Sequence, residues 1–145
     1  MIYSQENSFE YGEIRDAEWQ LEIYEKDPEA GAVVLFDIGS SSLIEAGTYN
    51  LETSYKRHCR IKILGKSGYN KSEIKLIFNK SEKFKALNAA SYNLVDGKVV
   101  KKEVEPETIF EEQINAYYSR KKFTLPDIQV GTIIEYSYEI EMPFD

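Results

Sequence analysis

Residues 123–145 read FTLPDIQVGTIIEYSYEIEMPFD and carry the clearest pattern in the chain. Pro126 and Gly131 mark a turn, and a strict two-residue alternation follows. Thr132, Ile134, Tyr136, Tyr138 and Ile140 fall on one face of a strand. Ile133, Glu135, Ser137, Glu139 and Glu141 fall on the other, because successive side chains on a strand point to opposite sides. The same period recurs upstream. Residues 48–64 form one long segment, and residues 71–79 place Ile74, Leu76 and Phe78 together. Residues 84–95 lead into Asp96-Gly97, a strong hairpin signal, and residues 98–104 return from it. Pro106 interrupts, residues 109–114 are ambiguous, and residues 117–125 resume as a strand.

Nearer the start, AVVLFDI (residues 32–38) is a nearly continuous apolar run, expected to be a strand covered on both faces. Gly39 and the serines after it are expected to turn. Residues 13–26 hold the one helical pattern, with Ile14, Ala17 and Leu21 at helical spacing and Asp16, Glu18 and Glu22 on the polar side. Asp27-Pro28 ends it, since a residue before proline is pushed out of helical geometry. About eight strands with frequent turns and one short N-terminal helix predict a mainly β protein, an antiparallel β-sandwich. Residues 13–145 form a single domain and residues 1–12 a tail. That tail is too short and polar for a complete signal peptide, though Ile2-Tyr3-Ser4-Gln5 suits the end of one.

Composition narrows the function. A formal charge of −7 is the wrong sign for binding nucleic acid or anionic lipid, and no apolar run approaches a membrane span. With one cysteine and one histidine, the chain has no internal disulfide and no zinc site built from Cys and His. No phosphate loop, calcium loop or HExxH motif is present, and no cofactor is expected. The many glutamates lie on exposed faces, where they lack the unequal environments that acid–base catalysis needs.

His58-Cys59 invites a nucleophilic dyad, but neighbours on a strand face opposite ways. Cys59 is therefore expected in the core and His58 towards water. The basic row Lys56, His58, Arg60 and Lys62 is expected on a solvated face, paired with glutamates such as Glu135, Glu139 and Glu141 on a neighbouring strand. An anion-binding stripe is the sharper alternative. Tyr117-Tyr118, followed by Arg120-Lys121-Lys122, has the aromatic and basic mixture of a stacking platform. Core or edge packing is the plainer expectation for those rings. On the sharper readings the surface contacts would be Lys56, His58, Arg60, Lys62, Tyr117 and Tyr118, and no catalytic or metal-binding residue is expected. Lysines in residues 98–102 guard an edge strand against aggregation. Asn70-Lys71-Ser72 and Asn79-Lys80-Ser81 fit the glycosylation pattern, a frequent chance match.

Four segments in order carry a family resemblance: YEKDPEAGAVVLFDIG (24–39), YKRHCRIKILGKSGY (55–69), ASYNLVDGKVVKKEVE (90–105) and YYSRKKFTLPDIQVGTIIEYSYEIEMPF (117–144). Together they resemble the uncharacterised β-domain at the N-terminus of bacterial secreted proteins that continue into a transglutaminase-like domain. The resemblance implies an extracytoplasmic location and a non-catalytic accessory or interaction role. It places any Cys-His-Asp chemistry in the downstream domain, which would be the partner. The alternative is a stand-alone module that binds a glycan or peptide.

Overall fold

The computed structural model describes residues 9–143, so the first eight residues of the expected tail lie outside it. Eight strands form two antiparallel sheets. They are β1 (Ala32–Glu45), β2 (Leu51–Ile63), β3 (Glu73–Asn79), β4 (Lys83–Val95), β5 (Lys98–Glu103), β6 (Phe110–Gln113), β7 (Tyr118–Thr124) and β8 (Ile133–Pro143). The larger sheet has the order β1-β2-β8-β4-β5, and the smaller has β3-β7-β6. Every pairing is antiparallel. The β-sandwich expected from the alternation is the fold observed.

The core lies between the sheets. Cys59, Ile61, Ala89, Ile134 and Tyr136 of the larger sheet pack against Ile74, Leu76 and Phe123 of the smaller one and Leu125 just beyond it. Burying such side chains is the main stabilising term, roughly 1.5–3 kcal/mol for each large one. Asp96 and Gly97 turn the β4–β5 hairpin with φ of 53° and 78°, as a two-residue turn with two positive φ angles requires. Ser91 is an exception within this core. Its side chain is fully buried, and its Oγ has no hydrogen-bond partner among the described residues. Ser91→Ala removes a desolvated hydroxyl without breaking a contact. It should raise stability by about 1 kcal/mol, seen as a melting temperature higher by about 2–4 °C. A lower melting temperature would show that the hydroxyl is satisfied in solution.

Two β-bulges interrupt the alternation. The register of β1 against β2 shifts between Val34 and Phe36, and that of β4 against β8 between Phe84 and Ala86. Each shift changes which parity faces the core. AVVLFDI is therefore apolar at both parities without being covered on both faces as expected, and much of β1 is exposed at the sheet edge. β1 also runs straight through Gly39 and the serines to Glu45, where a turn had been expected. Its antiparallel pairing with β2 continues past the serines and keeps them extended.

The helix is shorter than its pattern: α1 spans Asp16–Gln20 rather than residues 13–26. Lys62 Nζ donates to the carbonyls of Glu18 and Trp19, at 2.8 and 2.6 Å. Those carbonyls would otherwise accept the next intrahelical bonds, so the lysine ends the helix. Leu21 is already extended, with φ −71° and ψ 115°. The buried face also differs. Ala17 is exposed, whereas Glu18, assigned by its pattern to the polar side, is the buried residue of the helix.

Candidate functional site

Because β2 lies beside β8, the basic row of one strand faces the acidic row of the other. The solvated setting expected for that row is corrected by the structure. Residues 9–23 lie across the outer face of the larger sheet, and Ile14 and Trp19 pack there against Ala90, Tyr92 and Ile133. Under this strap Arg60 and Glu135 are 0% exposed and Lys62 is 3% exposed. Arg60 and Lys62 are therefore not surface contacts. Lys56 remains exposed, and His58 is half-buried rather than turned to water.

Glu135 is the hub. It accepts hydrogen bonds from Arg60 (2.6 and 3.1 Å), the Tyr92 hydroxyl (2.9 Å) and the Gly12 backbone N–H (2.9 Å). His58 Nε2 lies 2.6 Å from the same carboxylate. Arg60 also reaches both carboxylate oxygens of Glu18, at 2.9 and 3.0 Å, and the Glu10 carbonyl at 2.9 Å. Glu18 in turn accepts from the Arg15 backbone N–H at 2.7 Å. Phe36 packs over Arg60, with its ring 4.8 Å from the guanidinium carbon, and stacks on Phe9 at 4.2 Å. Burial pushes the Glu135 carboxyl up, but bonds from His58 and Arg60 outweigh it and hold the group below the usual carboxylate range. Burial pushes Lys62 down. Burial, then the nearby Glu135 charge, pushes Tyr11 and Tyr92 up, so both stay protonated.

Such a network binds the strap and fixes its register. Most of its charged groups are enclosed, but His58 also reaches the groove beside it. That groove, of about 330 Å³, is lined by Tyr11, Ile38, Lys56, His58, Ser137 and Glu139, among others. No group of three or more His, Cys, Asp or Glu side chains among the described residues is placed to hold a metal ion. None of their helices is long and apolar enough to cross a membrane.

Cys59 sits on the opposite face from His58, 2% exposed in the core. Burial pushes its thiol above the ordinary value, the reverse of an activated nucleophile. The folded protein should therefore resist alkylation by iodoacetamide and react fully once unfolded in guanidinium chloride. Rapid labelling of the native state would mean that the thiol is reachable.

Tyr117 and Tyr118 depart from the core or edge packing expected of them. They are 74% and 46% exposed. With Asn79, Lys80 and Ser81 they line a cleft of about 390 Å³ where two turns meet. The basic residues after them serve the sheet. Arg120 pairs with Glu112, and Lys121 with Glu111, across the β6–β7 ladder. The lysine-bearing β5 is exposed along its length at a sheet edge, as expected of a guarded edge strand.

No curated protein matches this sequence. Among solved structures, a "putative protease" from Parabacteroides distasonis ATCC 8503 is similar with a TM-score of 0.49 and 14% sequence identity. That similarity covers 63% of this chain and 20% of the other, so the matched part is about a fifth of that protein. The model of the family described as a domain of unknown function with solved structure, DUF3857, matches residues 50–144. That span begins beside β2 and runs through β8, leaving the strap and β1 outside it. The chain belongs to the DUF3857 family.

Proposed function

We propose that this domain is a non-catalytic accessory and interaction domain of an extracytoplasmic protein with a transglutaminase-like catalytic domain. The observation that carries it is an uncovered apolar surface at the far end of the β1–β2 hairpin. Leu43 and Leu51 occupy diagonal positions on one face of that hairpin and are 58% and 45% exposed. This is the side of β2 that carries Cys59, and here it continues beyond the reach of the smaller sheet. Tyr49, wholly exposed in the connecting turn, adjoins them. Apolar groups clustered on a projecting hairpin suit a protein interface. The family membership agrees, and so does the use of the single thiol as core packing.

The test begins with the gene. Sequencing the reading frame around this segment should reveal a transglutaminase-like domain in the same protein. In that longer protein, residues 43–51 should exchange amide hydrogens more slowly than in the 145-residue chain, and Leu43→Asp with Leu51→Asp should abolish the difference. A frame without such a domain, or equal exchange in both proteins, would overturn the proposal.

A further inference from the structure

We propose that the cleft formed by Tyr117, Tyr118, Asn79, Lys80 and Ser81 binds a sugar ring. Rings left 74% and 46% exposed can be ordinary surface residues when their backbone is loose. Here both supporting turns are pinned. The Asn115 side-chain oxygen accepts from the backbone N–H groups of Tyr117 (2.8 Å) and Tyr118 (2.9 Å). Ile114 N–H donates to the Tyr118 carbonyl at 2.9 Å. Across the cleft, the Asn79 side-chain oxygen accepts from Ser81 N–H at 2.9 Å and from its hydroxyl at 2.6 Å. Lys80 N–H donates to the Tyr117 carbonyl at 3.1 Å and ties one turn to the other. The aromatic surface is thus presented on a pre-ordered backbone, and a ligand stacking there does not have to order it.

The chemistry of the lining selects the ligand. A pyranose offers an apolar C–H face rimmed by hydroxyls, which matches a tyrosine face beside an amide, a hydroxyl and an ammonium. The lining includes one cation and no carboxylate, so neutral and anionic sugars are both admitted. Main-chain recognition of a peptide has less to use, because the Tyr117 and Tyr118 N–H groups already donate to the Asn115 side chain and their carbonyls already accept from Lys80 and Ile114. The cleft lies on the β3–β7 end of the smaller sheet and includes no residue of the proposed β1–β2 interface, so either proposal can fail alone.

The experiment titrates the isotope-labelled 145-residue chain with cellohexaose, chitohexaose and mannohexaose, each to about 10 mM, following backbone amide resonances. The capped peptide Ac-AEAEAE-NH2 is the fourth probe. At least one sugar should give saturable shifts confined to residues 79–81 and 115–118. Tyr117→Ala or Tyr118→Ala should weaken that binding roughly tenfold or more, whereas Tyr117→Phe, which keeps the ring, should retain it. No saturable shift with any of the three sugars, binding unaffected by both alanine changes, or saturation by the peptide alone would overturn the proposal.

Discussion

Replacing Glu135 with alanine should lower the folding free energy by about 3–5 kcal/mol at neutral pH, the largest loss expected from a single polar change in this chain. The cost arises from what stays behind. Arg60 keeps its charge in a site without solvent access, and the Tyr92 hydroxyl and Gly12 N–H lose their acceptor. Glu18 still faces the guanidinium but offers only one of the two carboxylates that enclosed it. Adding Arg60→Ala to Glu135→Ala should therefore cost much less than the two separate losses combined, with a coupling of about 1–3 kcal/mol. Denaturant titration of the four proteins measures this directly. Hydrogen exchange should locate the damage in residues 10–18, because Glu135 and Arg60 together hold Gly12, Glu10 and Glu18. An exposed salt bridge would contribute ~1 kcal/mol at most, and a loss that small would mean that water reaches the site.

The same carboxylate sets an acid limit. A group held below its unfolded value contributes stability that is fully present above the unfolded carboxylate pKa, about 4.3. That contribution disappears as pH falls through the lower folded value. Asp37 acts in the same sense, held down by hydrogen bonds from Arg57 at 2.7 and 2.8 Å. Stability should therefore fall below about pH 4.3, and the fall should be shallower in Glu135→Gln, which cannot titrate there.

These buried charges show which parts of the structure were legible in the chain. Alternation put Cys59 and His58 on opposite faces, and it gathered the glutamates of β8 and the basic residues of β2 each on one face, as found; that the two rows are neighbours comes from the strand order. Both inferences need only the two-residue period, which acts within one sheet. Burial of Arg60, Lys62 and Glu135 depends on a segment about forty residues upstream of β2 and over a hundred upstream of β8, which forms no ladder with them, and no local period reports it. A faint signal was present in Cys59-Arg60-Ile61-Lys62-Ile63, a central strand whose polar side balances the carboxylates opposite. Charges matched in this way can be buried on a sheet face if a third element covers them. The helix was misjudged for the same reason. Its pattern concerns residues 13–26 alone, whereas its end is set by a lysine on β2. Packing was the plainer expectation for the tyrosines because aromatic residues usually pack, whereas the turn bonds that hold their backbone at the surface leave no periodic signal.

Gly68→Ala should be nearly as damaging as the loss of Glu135, through backbone geometry instead of charge. Gly68 lies in the 3₁₀ segment Lys66–Ser72 that follows β2, against Gly31 at the start of β1. A methyl on Gly68 would stand 2.0 Å from the Gly31 carbonyl oxygen and 2.4 Å from its carbon. Both are backbone atoms, so no side chain can rotate away to make room. The Gly31 oxygen is also committed, since it accepts from Leu64 N–H at 2.7 Å and Gly65 N–H at 3.0 Å. Moving it to admit the methyl breaks the clasp that joins the entry of β1 to the exit of β2. Overpacking of this kind costs about 1–3 kcal/mol, and each lost hydrogen bond adds about 0.5–1.5 kcal/mol. The expected total is about 3–5 kcal/mol. Gly31→Ala should behave alike, because its methyl would meet Gly68 N at 2.4 Å. Gly97→Ala separates this effect from the ordinary cost of substituting a glycine. Nothing lies within 4 Å of a methyl there, so its penalty is only the strain of φ 78°, about 1–2 kcal/mol. Equal losses at Gly68 and Gly97 would mean that the two chain segments can part without harm, and that β1 is held by its ladder to β2 alone.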